Sequence, residues 1–558
     1  MNNIFLLRSA AVLCLSLLLQ ACGSADESEN ESQLDNKDDQ NQAAVLSFTN
    51  VTNELNINLF HANKMGNNPT MPSMFSGGVA TEDYDNDGDL DFYLIGGESG
   101  TNALYQNQGD GQYIDVAVQA GVAISGEKGS GPAFADIDGD GYLDLFIGAV
   151  DYDKVYVFLN NRDGTFTDVT DTSGLRFTAA NSVSASFSDF DNDGDLDLFV
   201  SHWGHSVATD ESLEIVWRND SEVSNITFAD VSNDVGILAA YADQIKSEVN
   251  PEAEPDSSFV PSMADIDNDG DDDLLLVSDY GLTKLYTNIG GRFEQVESET
   301  LIDEFGMGSS LADVDNDGDL DWFVTSIAEK EYDGEDKNPT EGYRGNTLYN
   351  NDGNGHFSNV SISRGVSDGG WGWGVCFADF NNDGLTDIYH VNGWGQNGQL
   401  FSMFQDDESR LFIQQEDNTF KDEAAKTNVN DNNQGRGLSC DDYDNDGDID
   451  IIISNNQGPA TFYRNDLSEG NNYITLKLVA NLPNKQAIGS KVELIFDDGH
   501  SLFKQVMFNN HFVSQSSSQL HFGLGKRTMI DSILITWPDQ STTLLEQVSV
   551  GQKLIVNQ

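Results

Sequence analysis

The sequence predicts an all-β protein: a seven-bladed β-propeller followed by a small C-terminal β-sandwich domain. Three observations predict it. A nine-residue acidic phrase recurs seven times, short strand-forming runs flank each copy, and a second phrase built on Asn, Gly and Asp turns recurs further along the units. Two hairpins per unit, repeated around a ring, make a propeller.

The chain opens on a segment that reads as a lipoprotein signal over residues 1–21. Arg8 supplies a small positive region, and Ser9 to Gln20 form an apolar stretch too short to span a bilayer. Leu19-Gln20-Ala21-Cys22 then resembles the lipobox of bacterial lipoproteins, in which the cysteine becomes the lipidated first residue. Gly23 after the cysteine favours, by that resemblance, the outer membrane over retention at the inner one. Residues 22–44 are polar, acidic and without periodicity, which suits a flexible tether. The expected location is therefore lipid-anchored outside a Gram-negative cytoplasm, at the outer membrane or cell surface, with the N-terminal lipid as the only membrane contact.

Residues 45–470 hold the repeat. The acidic phrase Asp-x-(Asp/Asn)-x-Asp-Gly-x-x-Asp begins at Asp83, Asp136, Asp189, Asp265, Asp313, Asp379 and Asp442. Successive starts lie 53, 53, 76, 48, 66 and 63 residues apart, the length of a four-stranded unit with variable loops. Runs rich in Gly, Ser, Ala and aromatics precede the loops, as in Gly131-Pro-Ala-Phe-Ala, and β-branched or aromatic runs follow, as in Phe92-Tyr-Leu-Ile and Ile451-Ile-Ile. The second phrase appears as Leu104-Tyr-Gln-Asn…Tyr113-Ile-Asp-Val, with copies at Phe158, Val216, Leu285 and Leu348. Ser47-Phe-Thr-Asn-Val matches its ending, so it is expected to supply the outer strand of the last blade and close the ring.

The acidic phrase has the chemistry of a calcium loop. Carboxylates at positions 1, 3, 5 and 9, a carbonyl at 7 and Gly at 6 for the sharp turn form an oxygen cage suited to Ca²⁺, whereas Mg²⁺ prefers fewer protein ligands and stricter octahedral geometry. The expected ligands are Asp83, Asp85, Asp87, Asp89 and Asp91 in the first loop, and Asp136, Asp138, Asp140, Tyr142 and Asp144 in the second. The third offers Asp189, Asp191, Asp193, Asp195 and Asp197; the fourth, Asp265, Asp267, Asp269, Asp271 and Asp273. The fifth offers Asp313, Asp315, Asp317, Asp319 and Asp321, and the seventh Asp442, Asp444, Asp446, Asp448 and Asp450. The sixth, with Asp379, Asn381, Asp383, Leu385 and Asp387, carries less charge. Up to seven Ca²⁺ are expected. An EF-hand is excluded, because position 12 is aliphatic in six loops and His390 in the sixth, where an EF-hand needs a bidentate Glu.

The charge balance follows from this. The chain has 94 acidic and 27 basic side chains and a net charge of −67; 33 of the acids sit in the seven loops. Such a polyanion is a poor partner for nucleic acid or for anionic lipid surfaces.

Residues 471–558 read as β throughout, with Tyr473-Ile-Thr-Leu-Lys-Leu-Val, Val492-Glu-Leu-Ile-Phe and Ile533-Leu-Ile-Thr-Trp as strands. His521 lies in an alternating strand and reads as a core or surface residue rather than a ligand. Cys376 and Cys440 precede two acidic loops; a disulfide is permitted outside the cytoplasm, but two buried free thiols are the simpler account.

The loops and their spacing resemble the FG-GAP/VCBS repeats of integrin-type propellers. Asn484-Lys-Gln-Ala-Ile-Gly-Ser-Lys-Val, Ser514-Gln-Ser-Ser-Ser-Gln-Leu-His-Phe-Gly-Leu-Gly525 and Ile535-Thr-Trp-Pro resemble the ASPIC/UnbV domain. Together the chain resembles the cartilage-acidic-protein-like family. That resemblance implies a calcium-bearing propeller in a secreted or surface binding protein, without implying a reaction.

If each acidic loop joins the first two strands of its blade, the opposite face gathers His202, Trp203, His205, Trp371, Trp373, Trp394 and Arg436. Exposed Trp and His beside amides would suit a glycan or an extracellular protein ligand. The competing account is that glycine-flanked tryptophans pack the propeller hub. The principal functional expectation is a calcium-binding cell-surface adhesion or binding module. The alternative is a polysaccharide lyase or hydrolase on the same face, with His202, His205 or Arg436 as starting points; no catalytic or cofactor-binding residue is otherwise assigned.

Overall fold

The computed structural model describes residues 45–64, 70–109, 112–205, 213–237, 256–298, 300–301, 303–328, 345–395, 404–468, 470–508 and 510–558. The expected signal, Cys22 and the acidic tether lie outside them. The described chain is nearly all β, and none of its helices is long and apolar enough to cross a membrane.

The unit of construction is a four-stranded antiparallel sheet. In the first unit its strands are Val79–Glu82, Asp91–Leu94, Ala103–Asn107 and Tyr113–Asp115. Later units begin with Gly129–Ala135, Ser182–Ser188, Asp256–Ala264, Ser309–Ala312, Gly372–Ala378 and Gly435–Asp441. Seven such units occur among the described residues, and their first strands lie against one another in chain order, the last against the first. The arrangement is propeller-like. As the sequence leads one to expect, Phe48–Asn50 pairs antiparallel with Thr461–Asn465, so the N-terminal strand completes the last sheet.

One register is kept throughout. The residue before each acidic loop pairs with the Asp at loop position 9: Glu82 with Asp91, Ala135 with Asp144, Ser188 with Asp197, and so on to Asp441 with Asp450. Loop geometry and strand pairing are therefore specified together, since a slip of one residue would turn every side chain over.

Neighbouring units are latched by an amide. The third strand ends in Asn107, Asn160, Asn219, Asn288, Asn351, Gln414 or Asn465, and each donates its side-chain N–H to a main-chain carbonyl of the preceding unit. Asn351 Nδ2 donates to Ile266 O at 2.8 Å, and Asn107 closes the circle with a longer bond of 3.4 Å to Tyr443 O. The other five contacts span 2.8–3.1 Å. The Asn of the second repeated phrase is thus more than a turn former.

The C-terminal segment forms two sheets. Asn472–Val479 lies between Leu520–Gly525 and Gln552–Asn557, while the other sheet runs in the order Ser501–Gln505, Lys491–Ile495, Met529–Thr536, Thr542–Ser549. Its apolar faces share a core with the second and third units, through Ile137, Phe187, Val492, Phe508 and Trp537.

From this segment, residues 510–518 enter the hub and touch the first strand of every unit. Asn510 Nδ2 donates to Ala185 O, His511 O accepts from Ser309 N, and Ser514 Oγ accepts from Leu438 N. Gln515 both accepts from Phe134 N and donates to Phe134 O, while Ser514–Gln515 pairs with Val79 and Ala80. Phe512, fully buried, packs on Phe259 and Trp373 at ring distances of 5.5 and 5.1 Å. Gly78 is required here: a Cβ on it would stand 2.0 Å from Val513 O.

The structure corrects the reading of the cysteines. Cys376 and Cys440, 64 residues apart, are joined by a disulfide that ties the first strands of the sixth and seventh units. Adjacent hub strands bring the two Cα atoms to 6.5 Å, a proximity that the linear sequence does not display.

Three substitutions test this account of the ring. Asn351→Ala leaves the Ile266 and Leu320 carbonyls without their donor, and should cost about 2 kcal/mol in urea unfolding. The exposed Asn354→Ala, in the following turn, should stay within about 0.5 kcal/mol. Phe512→Ala, which empties the hub, should cost about 3–5 kcal/mol. Equal stability of Asn351→Ala and Asn354→Ala would remove the latch.

Candidate metal loops and the hub

Each acidic loop is shaped by its own carboxylates. The position 1 Asp accepts from the N–H of the position 6 Gly through Oδ2 in all seven loops, at 2.7–3.1 Å. The position 9 Asp accepts from the main-chain N–H that ends the third strand, at 2.7–2.9 Å. Position 4 is left-handed throughout, with φ between 56° and 67°, and is Asn in six loops and Gly139 in the second. The recurring phrase Asp-x-(Asp/Asn)-x-Asp-Gly-x-x-Asp does not specify this position. Asn and Gly are the residues that adopt this conformation at least cost, and their recurrence is the signal that could have found it.

The position 1, 3 and 9 carboxylates, or those at 1, 3 and 5, converge. One oxygen from each of Asp83, Asp85 and Asp91 lies within 4.8 Å of the others, and so do those of Asp136, Asp138 and Asp140. The same holds for Asp189, Asp191 and Asp197, for Asp265, Asp267 and Asp269, and for Asp313, Asp315 and Asp321. In the first loop Asp83 Oδ1, Asp85 Oδ1 and Asp91 Oδ2 are buried without a hydrogen-bond donor; Asp191 Oδ1 and Asp315 Oδ1 are alike. Buried carboxylate oxygens with no donor are costly unless a cation answers them. The donor set is oxygen only, which suits a hard divalent ion.

Their protonation shows the same strain. Burial first, and then the neighbouring carboxylates, push Asp91 and Asp197 up to about 9 and Asp273 and Asp321 to about 8, against the pull of the backbone N–H bonds. Asp136, Asp189, Asp313 and Asp442 rise to about 7 for the same reasons.

The C-terminal segment lies over this face. Lys477 Nζ stands 2.7 Å from Asp83 Oδ2, and Lys491 Nζ stands 2.6 Å from Asp265 Oδ2. Lys485 and Lys553 donate to the carbonyls of Gly141 and Gly88. Over the sixth loop, His521 Nε2 meets Asn382 Oδ1 at 2.7 Å, and Gly525 N donates to Asn382 O. His521 is buried there, and burial lowers it to about 3, so it is a neutral packing partner. Gly523 is held small by the same contact, since a Cβ would fall 1.9 Å from Asp379 Oδ2.

The residues expected to form an exposed ligand face are instead drawn into the hub end of the ring. Trp371, Trp373, His202 and Arg436 are buried, and Trp203 and Trp394 are half-buried. Trp371 and Trp373 stack on Trp394 at 5.0 and 5.5 Å, and the Arg436 guanidinium lies 4.4 Å from the Trp373 ring. Arg436 gives its N–H groups to the carbonyls of Met74, Gly393 and Gly435, with burial lowering it to about 9. His202 faces the carbonyls of Asn181 and Glu214. Trp203 Nε1 donates to Asp279 at 3.0 Å. The side chain of His205 lies outside the described residues. Glycine beside tryptophan is what close stacking of hub strands demands, so the packing account prevails over exposed rings at these positions.

The repeated acidic loops in a propeller-like ring, and the two-sheet segment over them, define a class: FG-GAP-repeat proteins with a C-terminal ASPIC and UnbV segment. The FG-GAP-like repeat family matches residues 83–147, 140–200, 265–324 and 340–390, and the ASPIC and UnbV family matches residues 481–558. The chain belongs to this family, together with cartilage acidic protein 1. The Mus musculus protein of that name is 24% identical over 573 residues, which cover 89% of this chain and 74% of the mouse protein. The Homo sapiens protein is 23% identical over 570 residues, covering 89% and 73%. Among solved structures, an Agrocybe aegerita lectin described as recognising non-reducing terminal N-acetylglucosamine is 16% identical. It covers 70% of this chain and 99% of its own, with a TM-score of 0.38. The V. cholerae biofilm matrix protein Bap1 is 12% identical, covering 90% and 62%, with a TM-score of 0.31.

The raised carboxylates set a pH dependence. In the metal-free fold these groups hold protons up to about pH 7–9, while in the unfolded chain they release them near 3.8. Their contribution to stability is therefore present at low pH and lost as pH rises through about 7–9. The melting temperature in EGTA should fall between about pH 6 and about pH 9. In millimolar Ca²⁺ it should hold, so the calcium increment widens with pH. An increment independent of pH across that range would refute the assignment of these carboxylates as ligands.

Proposed function

We propose that the protein is a calcium-rigidified binding module, held at the outer membrane or surface of a Gram-negative bacterium by a lipid on Cys22. Its ligands on this reading are glycans or extracellular proteins. The observation that carries the calcium part is the first loop, where Asp83, Asp85 and Asp91 each bring an oxygen within 4.8 Å of the others and each keep a buried oxygen without a donor. Asp83, Asp85, Asp87 and Asp91, with the Asp89 carbonyl, would hold the ion, and the corresponding residues would do so in the other loops. Bound calcium supplies charge compensation and fixes loop shape. The chain's own residues set the strand register and latch the units.

Binding is favoured over turnover because two of the three starting points for an enzyme, His202 and Arg436, are buried and engaged by main-chain carbonyls; the side chain of the third, His205, lies outside the described residues. A rigid ring whose inner strands are tied by a plug and a disulfide presents its surface without needing to close on a substrate.

The test is capture on a glycan array and on extracellular protein extracts, with calcium and with EGTA. Calcium-dependent retention without change in the retained glycan is the expected result. Chemical turnover of a retained glycan would overturn the binding reading. For the anchor, a radiolabelled fatty acid should enter the wild-type protein in cells but not Cys22→Ala; equal labelling would remove it.

A further inference from the structure

Calcium binding is proposed above, and the next step rests on that reading. We infer that Lys477 and Lys491 of the C-terminal segment are resident counter-cations that weaken calcium binding at the first and fourth loops. By the same contacts they couple docking of the segment to loading of the ring.

The distribution of charge is the first argument. Residues 471–558 contain seven Lys and Arg against six Asp and Glu, whereas the rest of the chain has 20 against 88. The segment is therefore near neutral where the rest of the chain is strongly acidic, and it supplies most of the cations that reach the acidic loops. Lys477, Lys485, Lys491 and Lys553 all end on acidic loops, and the half-buried Lys504 has the charges of Asp379 and Asp313 acting on it.

Geometry gives the sign. Lys477 and Lys491 sit on Oδ2 of Asp83 and Asp265, the oxygen that also takes the Gly88 or Gly270 N–H. In the first loop the other oxygen, Asp83 Oδ1, is the donor-less one. The ammonium thus stands behind the ligand carboxylate and leaves Asp83 Oδ1 free in the first loop, while in the fourth Asp265 Oδ1 takes the Asp269 N–H at 3.1 Å. Both carboxylates are only 3% exposed, so solvent does little to screen the pair. A full positive charge at that distance draws electron density from the ligand and repels an incoming divalent ion. It also relieves carboxylate crowding when the ion is away, so it stabilises the metal-free loop. Both effects lower the affinity for calcium. The orienting effect of an outer-shell partner runs the other way, but the Gly N–H already supplies it.

Other loops provide internal references. Among the described residues no Lys or Arg salt bridge reaches the position 1, 3, 5, 7 or 9 carboxylates of the third or seventh loop. Arg162 on Asp140 and Arg364 on Asp315 touch the second and fifth, but both come from the ring itself, so they do not tie loading to the segment. Because binding linkage is reciprocal, an ion that loosens Lys477 or Lys491 loosens that edge of the segment.

The experiment is calcium titration of the full mature chain against a chromophoric chelator, with calorimetry, for the wild type, Lys477→Met, Lys491→Met, the double variant and Lys526→Met. Lys526 belongs to the same segment, but its ammonium bonds Gly470 O, and among the described residues it makes no salt bridge to a loop carboxylate. Each loop-facing substitution should strengthen one site about tenfold, and the double variant two, with Lys526→Met unchanged. In EGTA the two loop-facing variants should melt below the wild type, and in saturating calcium they should match it. If a variant folds only with calcium, its release rate into excess chelator is read instead, and should slow by a similar factor. Unchanged or weakened affinity and unchanged or faster release in the lysine variants, while the wild type binds calcium, overturns this inference alone. No calcium uptake by the wild type overturns the calcium reading beneath it.

Discussion

The structure depends on one electrostatic constraint: carboxylates gathered in a buried rim must each face something positive. Seven loops bring their acids to one side of the ring, and burial drives many of them toward their protonated forms. The fold answers in three layers. Main-chain N–H groups from the position 6 Gly and the end of the third strand come first, and they are identical in every unit. Lysines from the C-terminal segment come second, and they are not. Some of the converging carboxylates keep a buried oxygen without a donor, as Asp83, Asp85 and Asp91 do in the first loop. One oxygen can thus hold the loop while the other is left for a cation. The position 9 Asp does both, which is why it sits on the first pair of the strand register.

The hub follows a different rule. Short first strands rich in Gly and Ser approach one another closely, as a ring of seven units requires, but such strands supply few side chains to fill the axis. The filling comes from the far end of the sequence. Residues 510–518 contribute two apolar groups, Phe512 and Val513, the His511 imidazole, and otherwise amides, hydroxyls and main chain. That composition suits a channel lined by strand edges and small polar residues, where unmet N–H and C=O groups would be costly. The C-terminal segment is thus both a cover for the acidic face and the core of the ring, and the two are continuous in one body.

Much of this was legible in the sequence, for a definite reason. The loops repeat, so their register, their glycine and their converging carboxylates could be read by comparison within one chain, and the closing strand at Phe48 could be matched to a phrase seen elsewhere. What was not legible depended on partners outside the phrase. The terminal Asn of the third strand looks like a turn residue until its carbonyl partner in the preceding unit is seen. Ser514-Gln-Ser-Ser-Ser has no apolar period, so nothing in it announces a hub plug. The disulfide joins cysteines whose nearness is a property of the ring. Trp371, Trp373 and Trp394 were placed at the correct ends of their strands, but the sequence does not say that those ends converge on the axis, and their exposure was misjudged.

The coupling of cover and core bears on what the molecule can do. A ring stiffened by ions alone would soften one unit at a time as they leave. Here every first strand touches the same inserted segment, so distortion of one loop is opposed by contacts to the other six units. The same segment sends lysines to loops one and four. A change of charge at those loops therefore acts on an element that all seven units share, rather than on a local turn. The shape of the ring is a property of the closed circuit of strands, latches and plug, and the acidic loops set the electrostatic load that this circuit carries.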